Sequence, residues 1–361
     1  MQIGIVGLPF SGKSTLFQAV TKTHLDPASL SKAEAHHGIV KVPDDRLATC
    51  SDIFKPPSTV YATIEFVDVV GLKKGESGST QFTTNFLASV KNNDALVQVV
   101  RLFNDASVPH PDGSIDPMRD VATFETEFII ADLAVFENRV ERLKKAAMKA
   151  GDEQAKKELP LLEKCHAILE GEKPLRDAGL SREETNILKT YQLLSIKPML
   201  IALNCDETQT EKAKVVVKQL GEKKEGPQTK VMSLFGKIDL EISELGDEEA
   251  RSFMAEYGIT ESALATLIRE SYALLGLQSF LTVGDDECRA WTIRKGMTAQ
   301  EAAGVIHSDF FAKFIRAEVV GYDDFMKNGG SFAKAKEAGV WRLEGKEYVV
   351  RDGDIMSIRH S

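Results

Sequence analysis

The stretch "GLPFSGKS", residues 7–14, lies inside the opening run "MQIGIVGLPFSGKSTLF" and decides how the whole chain is read. Gly7, four residues, then Gly12, Lys13 and Ser14 stand between an apolar strand-like run (Ile3, Ile5, Val6) and a helix-like one (Leu16, Phe17, Ala19, Val20). This is a phosphate-binding loop in the strand-to-helix context that such a loop requires. Glycines let the backbone bend until successive N–H groups point at a polyphosphate, and a helix starting at Lys13 adds its positive dipole end to the same spot. The expected cradle is Gly7, Leu8, Pro9, Phe10, Ser11, Gly12, Lys13, Ser14 and Thr15. Lys13 would reach the β- and γ-phosphates, as a catalytic cation, and the Ser14 hydroxyl would ligate Mg²⁺.

Further strand-like runs follow at "TVYATIEFVDVVG" (59–71), "DALVQVVRLF" (94–103) and "KPMLIALNC" (197–205), with helix-length segments between them. The alternation predicts an α/β fold with a mostly parallel sheet, and nucleotides sit at the carboxyl ends of such strands. The loops after Val6, Val67 and Leu203 are therefore expected to converge. "FVDVVGL" (66–72) supplies Asp68 and Gly71 in the spacing D-x-x-G. Asp68 would hold Mg²⁺ through its water shell, and the Gly71 N–H would meet the γ-phosphate. Leu72 stands where many GTPases carry a glutamine that orients the attacking water, so turnover by this chain is expected to be slow or to use another group.

"ALNCDET" (202–208) offers Asn204, two residues, then Glu207. Guanine-specific proteins place N-K-x-D here, one aspartate accepting both guanine donors. Cys205 replaces the lysine and the longer Glu207 replaces the aspartate, so discrimination by buried polar groups is lost and adenine becomes admissible. Phe235 and Gly236, in "SLFGKIDLEISEL" (233–245), fall where the loop beside the base is expected.

Residues 128–170 break the alternation. Ile129, Leu133, Phe136, Val140, Leu143 and Ala147 are spaced at helical intervals, and Ala155, Leu159, Leu162, His166 and Leu169 continue after "AGDE". Two antiparallel helices inserted between strands are predicted. Arg139, Arg142, Lys144, Lys145 and Lys149 make a basic stripe, readable as a solvated face or as a grip on an RNA backbone. From Leu277 onward short alternating runs surround one helix-like stretch, "TAQEAAGVIHSDF", which predicts a small mixed α+β domain.

Composition is that of an ordinary soluble protein: 361 residues, 43% hydrophobic, 27% charged and a net charge of -9. That charge disfavours indiscriminate binding to nucleic acid. No apolar run approaches the length of a membrane span and no basic leader precedes the first strand, so a cytoplasmic, membrane-free protein is expected. Four cysteines without C-x-x-C spacing read as free thiols. The adjacent pair His36 and His37 should point opposite ways on an extended segment, which argues against a metal site there.

Over essentially its whole length the sequence resembles the YchF or Obg-like ATPases, a branch of the Obg-related P-loop proteins. The resemblance rests on "GLPFSGKSTLF", "VPDDRL" (42–47), D-x-x-G followed by leucine, N-x-x-E, the inserted hairpin, and the tail "RAWTIRKGMTAQEAAGVIHSDFFAKFIRAEV". It implies a P-loop nucleotide-binding domain in 1–126 and 196–276, an inserted helical domain in 127–195, and a ubiquitin-like β-grasp (TGS) domain in 277–361. It further implies binding of ATP, or of GTP alongside it, with Mg²⁺; slow hydrolysis; association with ribosomes or their subunits as a translation or stress-related switch; and a monomer. A mobile-loop histidine positions water in this family, and "VPHPDGSIDPMRD" puts His110 in that place. Two stretches depart from the family pattern. Lys32 takes the position of a switch threonine that ligates Mg²⁺, with Ser29 or Ser31 as possible substitutes, and "SLFGK" replaces smaller residues beside the base. These departures leave open a protein that binds nucleotide as a regulated ribosome or RNA scaffold without turnover.

Overall fold

The computed structural model describes residues 1–25, 35–69, 73–74, 80–147, 153–256 and 261–361. Lys32, Ser29, Ser31, Gly71, Leu72 and Lys149 lie outside the described residues. The chain divides into two compact units, Met1–Gly38 with Glu65–Leu274, and Ile39–Ile64 with Leu275–Ser361.

The first unit is organised by a six-stranded sheet. Its strands are β1 (Gln2–Val6), β2 (His36–Lys41), β3 (Thr63–Asp68), β4 (Ala95–Arg101), β5 (Met199–Asn204) and β6 (Thr229–Leu234), in the order β2-β3-β1-β4-β5-β6. β1 pairs in parallel with β3 and β4, and β4, β5 and β6 continue in parallel. β4 and β5 are buried along their whole length, which is why their sequences read as nearly continuous apolar runs, interrupted by Gln98 and ending in Arg101 and Asn204, rather than as alternating ones. The parallel arrangement brings the carboxyl ends of β1, β3 and β5 to one edge. Helix α1 (Lys13–Thr21) leaves that edge immediately after β1.

The predicted hairpin is present as α2 (Pro117–Ala147) and α3 (Glu153–Glu170). α2 starts ten residues before the boundary expected at 127. The reason is local: Asp116 accepts hydrogen bonds from the backbone of Met118 and Arg119, both at 3.1 Å, and Pro117 occupies the first helical position. The first turns of α2 belong to the nucleotide-domain core, where Phe124 and Phe128 pack with Phe86, Val100 and Leu102. From Ile129 onward the same helix turns its apolar stripe to α3, and Phe136 and Leu143 join Leu162, Cys165 and Leu169. A continuous helix therefore crosses the expected domain boundary. Its base is fixed by buried polar contacts, Arg176 to Glu125 at 2.6 Å and Asp132 to the backbone N–H groups of Leu194 and Ser195 at 2.8 Å. In the basic stripe, Arg139 meets Glu158 and Tyr191, Lys144 meets Glu163, and Lys145 meets Glu141. These pairings tie three of the stripe's cations to acidic neighbours, and Arg142 is exposed beside them.

The second unit corrects the sequence reading of 59–71 as one strand. Ser58–Val60 and β3 are separate, and Ser58–Val60 adds itself in parallel to β8 (Glu287–Arg294) of the C-terminal sheet, Thr59 opposite Cys288. That sheet also contains β7 (Leu277–Thr282), β9 (Phe314–Gly321), β10 (Arg342–Glu344) and β11 (Asp354–His360), in the order β10-β9-β11-β7-β8 and then Ser58–Val60. Helix Asp45–Phe54 travels with the strand. Its Phe54 ring stacks on Phe325 and meets Phe332, and Arg46 pairs with Asp352 at 2.9 Å. Residues 39–64, expected in the nucleotide-binding domain, thus belong to the C-terminal unit. Helix α5 (Ala299–Ile306) covers this sheet through Ala299 and Ala302, against Phe280, Ala317, Val319 and Met356. No helix among the described residues is long and apolar enough to cross a membrane.

Candidate nucleotide site

The turn between β1 and α1 is shaped by close approach. Gly12 has φ +95°, and a Cβ there would overlap the Asn204 amide; a Cβ at Gly7 would overlap the Val99 carbonyl. Only glycine serves at either place. The loop is closed by the Ser11 N–H donating to the Leu8 carbonyl at 3.3 Å. Leu8 and Ser11 are buried, while Phe10, at φ +63°, stands exposed at the tip.

Lys13 is buried and donates from Nζ to the Leu8 carbonyl at 3.0 Å. Burial pushes its pKa down to about 8, with Asp68 opposing the shift. Beside it Ser14 Oγ donates to Asp68 Oδ2 at 2.9 Å. Burial raises the Asp68 carboxyl, opposed by the Ser14 hydrogen bond and the charges of Lys13 and His36. The ends of β1 and β3 thus bring together a cation, a hydroxyl and a carboxylate, as the motif spacings predict. The two oxygen donors suit a hard divalent cation such as Mg²⁺. His37 Nδ1 lies 2.8 Å from Glu65 and the His36 ring lies beside Phe17, so the two histidines diverge.

The end of β5 ties the loop to the other side of the site. Asn204 Nδ2 donates to the Ser11 carbonyl at 3.0 Å, and Asn204 Oδ1 accepts from the Gly236 N–H at 3.0 Å. Both ends of this amide are occupied, so Asn204 acts as a strut between the phosphate loop and helix α4 (Gly236–Glu244). Asp239 steadies the same turn by accepting from the Phe235 N–H at 3.0 Å, and burial pushes its carboxyl up to about 6. A cavity of about 560 Å³ opens against the strut. It is lined by Gly12, Thr15, Phe103, Asn204, Cys205, Glu207 and Phe235, among others, and is large enough for a purine nucleoside. Glu207 is exposed at its rim, and Asp206 is engaged with the N–H groups of Thr208 and Asn104.

His110 is elsewhere. Its side chain is 4% exposed and lines a tight void with Leu8, Pro9 and Ser11, and His110 also borders an open pocket with Arg101, Asn104 and Val108, next to the cavity that Asn204 borders. The Asp112 N–H donates to Nδ1 at 3.1 Å, which leaves the proton on Nε2 to donate to Asp120 Oδ2 at 3.0 Å. Asp120, Asp239 and Arg101 were not singled out from sequence. For Asp120 a signal existed, because "DP" at 116–117 marks a helix start and puts Asp120 in its first turn.

This fold and site define a P-loop nucleotide-binding protein. Residues 2–131 match the family MMR_HSR1, described as 50S ribosome-binding GTPase, and residues 277–361 match YchF-GTPase_C, described as a protein of unknown function, DUF933. The chain is 43% identical over 99% of its length, and 98% of the relative's, to a "Ribosome-binding ATPase YchF" of Bacillus subtilis. It is 35% identical over 99% of its length, and 91% of the relative's, to "Obg-like ATPase 1" of Gallus gallus. The solved "Structure of the Schizosaccharomyces pombe YchF GTPase" superposes with a TM-score of 0.85 at 32% identity, over 99% of this chain and 97% of that one. The chain belongs to the YchF, or Obg-like ATPase, family.

Proposed function

We propose that this protein is a ribosome-associated P-loop ATPase that binds ATP with Mg²⁺, hydrolyses it slowly, and acts as a cytoplasmic, monomeric switch in translation. The observation that carries the reading is the preassembled half-site: Lys13, Ser14 and Asp68 at the strand ends, joined through Asn204 to a purine-sized cavity. Lys13 exchanges its bond to the Leu8 carbonyl for phosphate oxygens, and the phosphate charge restores its proton. Ser14 and Asp68 would hold Mg²⁺, which would supply charge neutralisation to the triphosphate. The backbone N–H groups of 8–15 take the remaining phosphate charge. Preference for adenine rests on the base end. Guanine presents two adjacent donors that need one inward carboxylate, whereas Glu207 is exposed and Asp206 is spent on the backbone.

The name of the bacterial relatives supports the ribosome as partner. His110 is the water-positioning residue in this reading. Its engagement with Asp120 also favours the second reading, a nucleotide-regulated ribosome or RNA scaffold without turnover. Two measurements on wild type and Lys13→Ala separate the readings. A switch shows wild-type ATP turnover that Lys13→Ala lacks, and sedimentation with ribosomes that responds to a non-hydrolysable ATP analogue. A scaffold shows equal background turnover in both proteins. Ribosome binding that neither protein displays would remove the ribosomal part of the proposal.

A further inference from the structure

The loop that carries His110 is built to hold it back. His110 Nε2 donates to Asp120, and Asp120 Oδ1 is gripped in turn by Arg119 Nη2 at 2.8 Å and Nε at 3.1 Å. The same guanidinium donates to the Ser114 carbonyl at 2.7 Å, so Arg119 fastens the loop and the carboxylate together. With Nδ1 taken by the Asp112 N–H, neither imidazole nitrogen is free to hold a water.

The closed arrangement has a cost. Three polar atoms of residues that line the same void as His110, Ser11 Oγ, Gln98 Oε1 and Arg101 Nη1, are buried without a hydrogen-bond partner among the described residues. Opening the loop would give them water, and closing it forfeits that solvation. The chain around His110 is also anchored at both ends. Arg101 pins the segment up to Val108 by donating to the carbonyls of Phe103, Asp105 and Val108, and Asp116 pins the helix start. Between these anchors Pro109 and Pro111 stiffen the flanks of His110, and Gly113, at φ +75°, makes the turn.

We infer that Asp120, clamped by Arg119, is the catch of an autoinhibitory latch that stores His110 behind the phosphate loop until the 109–115 segment opens. The inference rests on the reading of His110 as the water-positioning residue. Asp120 is then a positioning residue with a negative role: removing it frees the histidine rather than disabling it. The solvation forfeited on closure opposes the His110 and Arg119 bonds, so the two arrangements can exchange when nucleotide or a partner favours the open one.

The test is carbethoxylation of the full-length protein with diethyl pyrocarbonate, read by mass spectrometry, with the exposed His307 as internal reference. Wild-type His110 is expected to react at least about tenfold more slowly than His307, and Asp120→Ala should bring it to a similar rate. Arg119→Met, which loosens the clamp from a partly exposed position, should give a smaller change in the same direction and serves if Asp120→Ala does not fold. Mg²⁺-ATP hydrolysis by Asp120→Ala should rise roughly tenfold if the stored arrangement dominates the wild type. Rapid labelling of His110 in the wild type overturns the latch. So does a hydrolysis rate that is unchanged or lower when Asp120 is removed, provided His110→Ala abolishes turnover. If His110→Ala hydrolyses like the wild type, the catalytic reading of His110 fails, and the labelling pattern alone then decides whether Asp120 holds the loop.

Discussion

The phosphate loop and the His110 loop meet at Leu8, Pro9 and Ser11, yet they are built in opposite ways. In the phosphate loop the backbone is locked by Gly7, Gly12 and the Asn204 strut, and its functional groups already stand together. In the His110 loop the imidazole is turned inward and engaged by Asp112 and Asp120, while neighbouring polar atoms have no hydrogen-bond partner among the described residues. In the proposed reading the binding half is thus preorganised and the hydrolytic half is not, so that nucleotide would bind readily and be cleaved only after a conformational step.

The contrast is broken most severely at Lys13. Lys13→Ala should weaken ATP binding by on the order of 100-fold, since charge-assisted hydrogen bonds to phosphate are lost, and titration calorimetry reads this directly. Asn204→Ala attacks the lock itself, leaving the Ser11 carbonyl and the Gly236 N–H without their partner. It should lower stability to denaturant by roughly 2 kcal/mol and weaken ATP binding along with it, whereas labelling of His110 should stay slow. Should His110 become reactive in that variant, the two loops are coupled and the contrast between them is too simple.

Raising the pH sharpens the comparison without mutation. Lys13 is pushed down to about 8 in the free protein, and phosphate needs its charged form. Free protein therefore sheds this proton above pH 8 and must take it up again on binding. ATP affinity should fall by about tenfold between pH 7 and pH 9, with proton uptake visible as a buffer-dependent binding enthalpy. A flat profile would mean that Lys13 is not buried in the free site as described.

The smallest effect is expected at Asp239. Its carboxyl is pushed up to about 6, so between about pH 4 and pH 6 the folded chain binds more protons than the unfolded one, and stability falls as the pH rises through that window. Asp239→Asn keeps an acceptor for the Phe235 N–H and removes the charge. It should flatten that slope and raise Tm at pH 7 by about 2 °C. Loss of stability instead would show that the carboxylate has a partner this account omits.

What could be read from sequence follows the range of the interactions involved. "GLPFSGKS" and Asp68 were legible because a phosphate site imposes residue types at fixed spacing next to a strand and a helix. The hairpin was legible because Phe136, Leu143, Leu162 and Leu169 repeat at helical intervals. The excursion of 39–64 was not, because "TVYATIEFVDVVG" is uniformly strand-like and nothing local says that its first residues pair with Cys288 and its last with β1. Asn204 reads as part of a base-recognition motif, and only the three-dimensional positions of Ser11 and Gly236 show that its amide also serves as a strut. His110 could be named through resemblance, but its storage against Asp120 depends on a turn at Gly113 that folds the loop back onto α2.

The most direct test of the central claim, a preassembled adenine-nucleotide site, is calorimetric titration of the nucleotide-free protein with ATP and then GTP in excess Mg²⁺. Tighter binding of ATP than of GTP is the result this structure predicts. Tighter binding of GTP, or no binding of either, would contradict it.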